Sequence, residues 1–245
     1  TETQTNEWIK VKGRFKEITF VEPVEQLLQL ASKQLKEERK INDANNIEPL
    51  YRLAKETGYV SNDFPLETAK QLFPLDSFSA YTITKAIQRY GQNERSLFTF
   101  LAAKGSNSIS EFEPAKQLTY NLQKVYDYIL YNFYSYLKDA NADSMSWSTI
   151  QVSIERVEGQ EWDSKEDMSQ AVNLVKAIGL LNLFGTAGFK LTAEHMTTYA
   201  KEAMAINNAK AIIQKLTAKK IVRYAVYKER LMLFEGTDVD LEAEI

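Results

Sequence analysis

The stretch Leu181-Asn182-Leu183-Phe184-Gly185-Thr186-Ala187-Gly188-Phe189-Lys190-Leu191 decides how the second half of this chain is read. Gly185 to Gly188 is a turn-forming run between two short apolar flanks, Leu181–Phe184 and Phe189–Leu191, the pattern of a small β-hairpin. Upstream, residues 146–157 and 165–181 carry apolar side chains at helical spacing. Downstream, Thr192 is placed to cap a helix running through Ala205, and residues 208–218 read as the next helix. Ile221 to Tyr227 and Leu231 to Phe234 are rich in β-formers and predict a second, longer hairpin. Helix, helix, hairpin is the outline of a winged helix. Residues 106–245 are therefore read as one long helix plus a winged-helix-like region with two small β-hairpins.

That long helix is expected over residues 114–140, the longest helical pattern in the chain. Leu118, Leu122, Val125, Ile129, Phe133 and Leu137 make its stripe, flanked by Tyr120, Tyr126, Tyr128, Tyr131, Tyr134 and Tyr136. So many rings predict a helix covered on several sides, each ring buried while its hydroxyl finds a partner. Base stacking is the other reading of such a stripe, but Lys124 is the single basic residue among the rings. Gly105 to Ser110, rich in Ser, Asn and Gly, is the candidate boundary and sets residues 1–105 apart as a helical, lid-like region.

Within that region, residues 7–21 read as a short extended piece broken at Gly13, and 41–46 as a polar loop. Pro23 suits the first turn of a helix whose apolar stripe is Val24, Leu27, Leu28, Ala31 and Leu35, ending near Arg39. A short helix over 49–57 stops at Gly58. Phe73 to Ser77 is a turn into a further helix, with Asp76 or Ser77 as N-cap, a buried stripe of Ala80, Ile83, Ile87 and Tyr90, and Gly91 as its end. A helix over 94–103 is expected to bury Leu97, Phe98 and Leu101. The fold class is mostly α, a helical bundle followed by winged-helix-like elements.

The chain has 245 residues, 44% of them hydrophobic and 26% charged, room for one large globular domain or two ordinary ones. No apolar run approaches the ~20 residues that cross a bilayer. The first residues lack the basic start and apolar core of a signal peptide, so a cytoplasmic protein without membrane contact is expected. The absence of an initiator Met points to a processed chain or an excised fragment. With no cysteine, disulfides, thiolate metal sites and Cys nucleophiles are excluded. A net charge of −3 argues against a globally basic nucleic-acid binder but not against a local basic patch.

No complete active site can be assembled. A phosphate loop needs G-x-x-x-x-G-K-[ST], and the nearest run, Gly185 to Lys190, has the wrong spacing and no hydroxyl residue after the lysine. His195 is the sole histidine, which removes multi-histidine metal sites and makes any triad depend on it. Glu155 with Glu158, or Asp238 with Asp240, are paired carboxylates of the kind that usually form a solvated face. Accordingly, no catalytic residue and no metal site are assigned. Lys210, Lys215, Lys219, Lys220, Arg223, Lys228 and Arg230 cluster on the last helix and hairpin. Of these, Lys215, Lys219, Lys220 and Arg223 are the candidate DNA contacts, since cations at such places meet phosphates; the other reading is a solvated face. Arg95, next to Glu94 at the start of an apolar helix, either pairs locally or reaches outward to a phosphate.

The run Gly91 to Leu101, GQNERSLFTFL, preceded by Phe73-Pro74-Leu75-Asp76, resembles a segment of large P-loop ATPases from bacteriophage-exclusion (BREX) and related bacterial defence loci. There a phrase like Y-P-L-H-P leads into a helix and then Q-N-E-R-[ST]-L-F-[ST]-F-L. Gly13-Arg14-Phe15 resembles the G-R-F segment upstream. Residues 176–183, KAIGLLNL, resemble K-T-I-G-L-L-N, and residues 234–240, FEGTDVD, resemble W-E-G-S-D-x-D. Asp76 and Ser77 depart from the pattern, which has His and Pro there. The resemblance implies the continuation of an ATPase module beyond its nucleotide-binding core: a lid and regulatory segment with no ATPase activity of its own. It implies an upstream P-loop core or neighbouring ATPase subunit as partner, with ATP and Mg²⁺ bound by that core. Arg95, Arg14 and Asn93 become nucleotide-sensing candidates. A stand-alone winged-helix DNA-binding module and a protein-interaction scaffold are the alternatives.

Overall fold

A computed structural model describes residues 22–38, 47–91, 97–114, 117–138 and 142–234. The extended piece at 7–21, the loop at 41–46, the acidic run at 235–240, and Arg14, Asn93 and Arg95 lie outside the described residues. The described chain is mostly helical, with ten α-helices and one two-stranded antiparallel sheet.

The first helices follow the sequence reading closely. α1 runs Val24–Glu38 and buries Leu28, Ala31 and Leu35. α2, Ile47–Glu56, is followed by Gly58 at φ +70°, a left-handed turn that glycine takes without a Cβ penalty. α3 is Leu66–Gln71. α4, Ser77–Tyr90, is capped by Asp76, whose carboxylate accepts from the Ser79 amide, and ends at Gly91. α4 packs against α1, α2, α5 (Leu97–Ala102), α6 (Leu122–Lys138) and α8 (Lys165–Phe184), so eleven of its fourteen residues are buried rather than one stripe. Most of its polar residues tolerate this through hydrogen bonds: Thr84 Oγ1 donates to Ala80 O (2.8 Å) and Thr82 meets the Tyr59 hydroxyl (2.7 Å), while Ser77 Oγ is buried without a partner among the described residues.

Three expectations need correction. α5 buries Phe100 instead of Phe98, which is only half-buried. The long helix begins at Leu122, not 114, and spans 17 residues. Residues 117–121 are diverted because their polar groups bond elsewhere: Tyr120 N donates to Pro74 O (2.8 Å) and Thr119 Oγ1 reaches Asp76 and Ala203 O. The third correction is the first hairpin. Leu181–Phe184 is the last turn of α8, a 20-residue helix and the longest among those described.

α8 is apolar on nearly every side because it is buried among α4, α6, α7 (Ser144–Glu158) and the C-terminal elements. A run of only four residues, three of them apolar, gives no periodicity to separate helix from strand. Asn182 fixes the outcome, donating to Ile178 O (2.7 Å) along the helix and to Leu231 O (2.9 Å) on the last strand. Gly179 lets α7 approach: a Cβ there would lie 2.5 Å from Ile150 Cγ1.

Beyond α8, Gly185–Gly188 turns into an extended piece in which Lys190 N donates to Thr57 O (2.8 Å). Then come α9 (Ala193–Met204), α10 (Ala209–Ala218), β1 (Val222–Ala225) and β2 (Arg230–Leu233). The hairpin register pairs Val222 with Leu233 and Ala225 with Arg230. Buried apolar residues from Leu28 to Leu233 form one hydrophobic cluster. Among the described residues no helix is long and apolar enough to cross a membrane.

Candidate functional site

The C-terminal elements are assembled in a definite order. Thr192 caps α9 by accepting from His195 N (3.1 Å), while His195 Nδ1 accepts from Thr192 N (3.3 Å), a reciprocal capping box. The sole histidine is thus a capping residue, with Nε2 3.6 Å from Glu56. Ala205, at φ +58°, ends α9. α10 follows, and Lys220, at φ +53°, turns the chain into β1. Leu191 then joins the hairpin: its N–H donates to Glu229 O (3.1 Å) and its carbonyl accepts from Leu231 N (2.7 Å). The result is helix, extended piece, helix, helix, hairpin, with the extended piece bridged in parallel to the second strand.

Of the four predicted DNA-contact cations, two are held by side chains of the loop between α7 and α8. Lys215 Nζ lies 3.3 Å from Asp163 Oδ2 and 4.9 Å from the Trp162 ring centre. Lys219 Nζ donates to Gln160 Oε1 (2.9 Å). The Lys220 carbonyl accepts from Arg156 Nη2 (2.8 Å). Arg223, on β1 opposite Met232, is half-buried. Two of the four therefore brace the loop between α7 and α8. What α10 leaves exposed is Lys210, Ala211, Gln214, Thr217 and Ala218.

The hairpin tip shows what sequence reading missed. Tyr224 is 45% exposed, Val226 76% and Tyr227 75%, so three large apolar side chains stand in water at one turn. Lys228 Nζ sits 5.3 Å from the centre of the Tyr227 ring. Strand propensity alone drew these residues into the hairpin, and nothing in their spacing separates a buried β-former from an exposed one.

A second polar centre lies inside the bundle. Asp76 is fully buried and accepts four hydrogen bonds: from Ser79 N (3.0 Å), Ser79 Oγ (2.9 Å), Thr119 Oγ1 (3.2 Å) and Tyr199 Oη (3.2 Å). Tyr199 Oη also accepts from Leu122 N (2.9 Å). One carboxylate thus ties the start of α4 to the start of α6 and to α9. Burial pushes the Asp76 carboxyl above the usual carboxylate range, against the lowering pull of its four donors. Burial, with the Asp76 charge beside it, pushes the Tyr199 phenol well up. All four contacts run within the fold, so this centre fixes elements and offers no open position to a ligand.

On the outer side of α6, Asn107, Asp127, Leu130, Tyr131 and Tyr134 line an open groove of about 460 Å³. Tyr131 and Tyr134, expected among the covered rings, are 66% and 50% exposed. Asp127 is held by Lys176 Nζ (2.7 Å) and Gln123. Among the described residues no group of three or more carboxylates and histidines is placed to hold a metal ion. Compared with known protein families, with curated proteins and with solved structures, the chain has no match in any of the three.

Proposed function

We propose that this chain is a non-catalytic lid and regulatory segment of a P-loop ATPase of the bacterial defence type. Its winged-helix-like C-terminal part serves as an interaction module, and ATP and Mg²⁺ bind on a core outside it. The observation that carries the interaction reading is the order of elements from α8 to β2, closed by the Leu191 bridge and ending in an apolar tip at Tyr224, Val226 and Tyr227. A hairpin whose outermost side chains are apolar favours a protein partner, because burying them against another surface contributes about 25 cal/mol per Å². The ATPase assignment rests on the resemblance of residues 91–101, 176–183 and 234–240 to the defence-type phrases.

A second reading, DNA binding, draws on the seven cations and one carboxylate between Ala209 and Phe234. Changing Lys219, Lys220 and Arg223 together to Glu separates the two. Salt-dependent duplex binding that disappears in this variant supports DNA; no duplex binding in the parent chain supports the protein module. The ATPase reading is tested in the parent reading frame. Arg95→Ala, in a chain that includes an upstream phosphate loop, should slow ATP turnover without changing thermal stability; a finger arginine contributes ~10³–10⁵ in rate in enzymes built that way. Unchanged turnover reduces Arg95 to a local ion pair. Mg²⁺-dependent hydrolysis by residues 1–245 alone refutes the non-catalytic assignment.

A further inference from the structure

α6 leaves part of one face uncovered. Asp127, Leu130, Tyr131 and Tyr134 stand at helical positions i, i+3, i+4 and i+7, so their side chains form a single strip along the helix. Opposite them stands Asn107, at φ +61°, and its place is fixed twice. Its carbonyl accepts from the Tyr120 hydroxyl, and its N–H donates to Glu111 Oε2 (2.8 Å). Strip and loop line the open groove of about 460 Å³, within the size range of pockets that bury a compact ligand. Of the carboxylates here, Asp127 is already held by Lys176 and Gln123. Glu111, on the loop side, is exposed and has no cation partner among the described residues.

The hairpin tip has the opposite shape and the opposite charge. Val226–Lys228 is one 3₁₀ turn, closed by Glu229 N donating to Val226 O (3.1 Å) with Glu229 at φ +52°. Tyr224, Val226 and Tyr227 are thereby exposed on a knob of fixed backbone, so little ordering entropy is lost when it is covered. Lys228, over the Tyr227 ring, is exposed and has no carboxylate partner among the described residues. Its sequence neighbour Glu229 is taken by Lys190 Nζ (2.6 Å). An apolar knob beside a lone cation and an apolar groove beside a lone carboxylate are the two halves of one contact. Both stand exposed in the same chain, so neither covers the other there. They can meet between two copies.

We infer that the hairpin tip of one copy seats in the α6 groove of a second copy, with Tyr224, Val226 and Tyr227 against Leu130, Tyr131 and Tyr134 and with Lys228 toward Glu111. The inference rests on the reading of the tip as a protein-binding surface and names the partner as this chain itself. The contact joins two unlike surfaces, so it can repeat from copy to copy. A fully covered ring buries ~150–250 Å², so four half-exposed rings with a valine and a leucine bury on the order of 600 Å². Stable standard interfaces start near ~1,200 Å². The contact is therefore weak, with a Kd of roughly 1 μM to 1 mM, and counts when a larger assembly holds copies side by side.

The test is sedimentation velocity of residues 1–245, without nucleotide or DNA, at concentrations up to about 1 mM. The unaltered chain should associate reversibly as concentration rises. Val226→Ser with Tyr227→Ser, and separately Tyr131→Ser with Tyr134→Ser, should each weaken association by about tenfold or more. These side chains are half or more exposed, and an unchanged melting temperature checks that each variant folds. Mixed together, the two variants should form a one-to-one pair and stop there, because the mixture holds one kind of intact tip and one kind of intact groove. Lys228→Glu and Glu111→Lys should each weaken association, and a chain carrying both should recover it. An unaltered chain that stays monomeric throughout overturns the inference, and so does a mixture that stays unpaired. A groove variant that associates like the unaltered chain, while the tip variant does not, also overturns it, yet leaves the tip a protein-binding surface that meets another face. That reading of the tip fails separately, when the tip variant binds the P-loop core as well as the unaltered chain does.

Discussion

α4 and the C-terminal hairpin are built on opposite plans. At the start of α4, Asp76, Ser77, Ser79, Thr82 and Thr84 are polar and buried. At the hairpin tip, Tyr224, Val226 and Tyr227 are apolar and exposed. The buried polar set is nearly self-sufficient, since Asp76 alone takes four donors from three parts of the chain. The exposed apolar set has no such closure within the described residues. Each pattern breaks the usual sorting of side chains, but only the second leaves free energy to be gained from an outside surface. Position, not unusual residue type, separates a structural centre from a candidate interface.

The largest way to break the comparison is at Asp76. Asp76→Ala strands the Ser79 amide and two hydroxyls, and unmet buried groups cost about 1–3 kcal/mol each, so a loss of about 3 kcal/mol or more is expected in denaturant unfolding. Asp76→Asn keeps the shape and should cost less. The sign of the pH effect follows from the direction of the shift. The folded carboxyl binds its proton more tightly than the ordinary value of 3.8. This group's contribution to stability is therefore fully present below the unfolded value and is lost as pH rises through the folded one. That downward slope should vanish in Asp76→Asn. A slope that survives there assigns it to other groups.

A smaller effect is expected at Gly179, in the run that resembles K-T-I-G-L-L-N. Alanine normally helps a helix interior by about 1 kcal/mol over glycine. Here the new Cβ meets Ile150 side-chain atoms at 2.5 and 2.7 Å, so Gly179→Ala should destabilise by about 1–3 kcal/mol. In an Ile150→Ala background the same change should turn neutral or stabilising. Additive losses in that double-mutant cycle would place the strain elsewhere. Thr192→Ala comes next, at about 1 kcal/mol for a lost cap, read as a drop in melting temperature.

Much of the helical part was legible because caps and apolar spacing agree there. Asp76, Thr192 and Gly58 stand where local chemistry puts them, and α1, α4, α9 and α10 fall within a residue or two of expectation. The last hairpin was legible from its β-formers, and it forms in the predicted place. The false hairpin at 181–191 and the early start of α6 were not recoverable, because tertiary bonds decided both: Asn182 to Leu231 and Tyr120 to Pro74. For the site, the sequence located the cations but not their direction. Lys215 and Lys219 turn to Asp163 and Gln160, partners that lie more than fifty residues away along the chain.

The smallest expected effect on stability is the most informative for function. Val226→Ser with Tyr227→Ser removes side chains that are three-quarters exposed, so unfolding free energy should move by no more than about 0.5 kcal/mol. The same pair should nevertheless weaken association of the parent protein's P-loop core or neighbouring subunit with this chain by about tenfold or more, as loss of an anchoring aromatic does at an interface. Denaturant unfolding of the chain and its titration against that partner measure the two quantities. Should stability fall by several kcal/mol instead, the tip packs inward as the Asp76 centre does, and the contrast between the two regions disappears. Should stability hold while partner binding is unchanged, the apolar tip contributes nothing to recognition, and the cations alone would have to account for it.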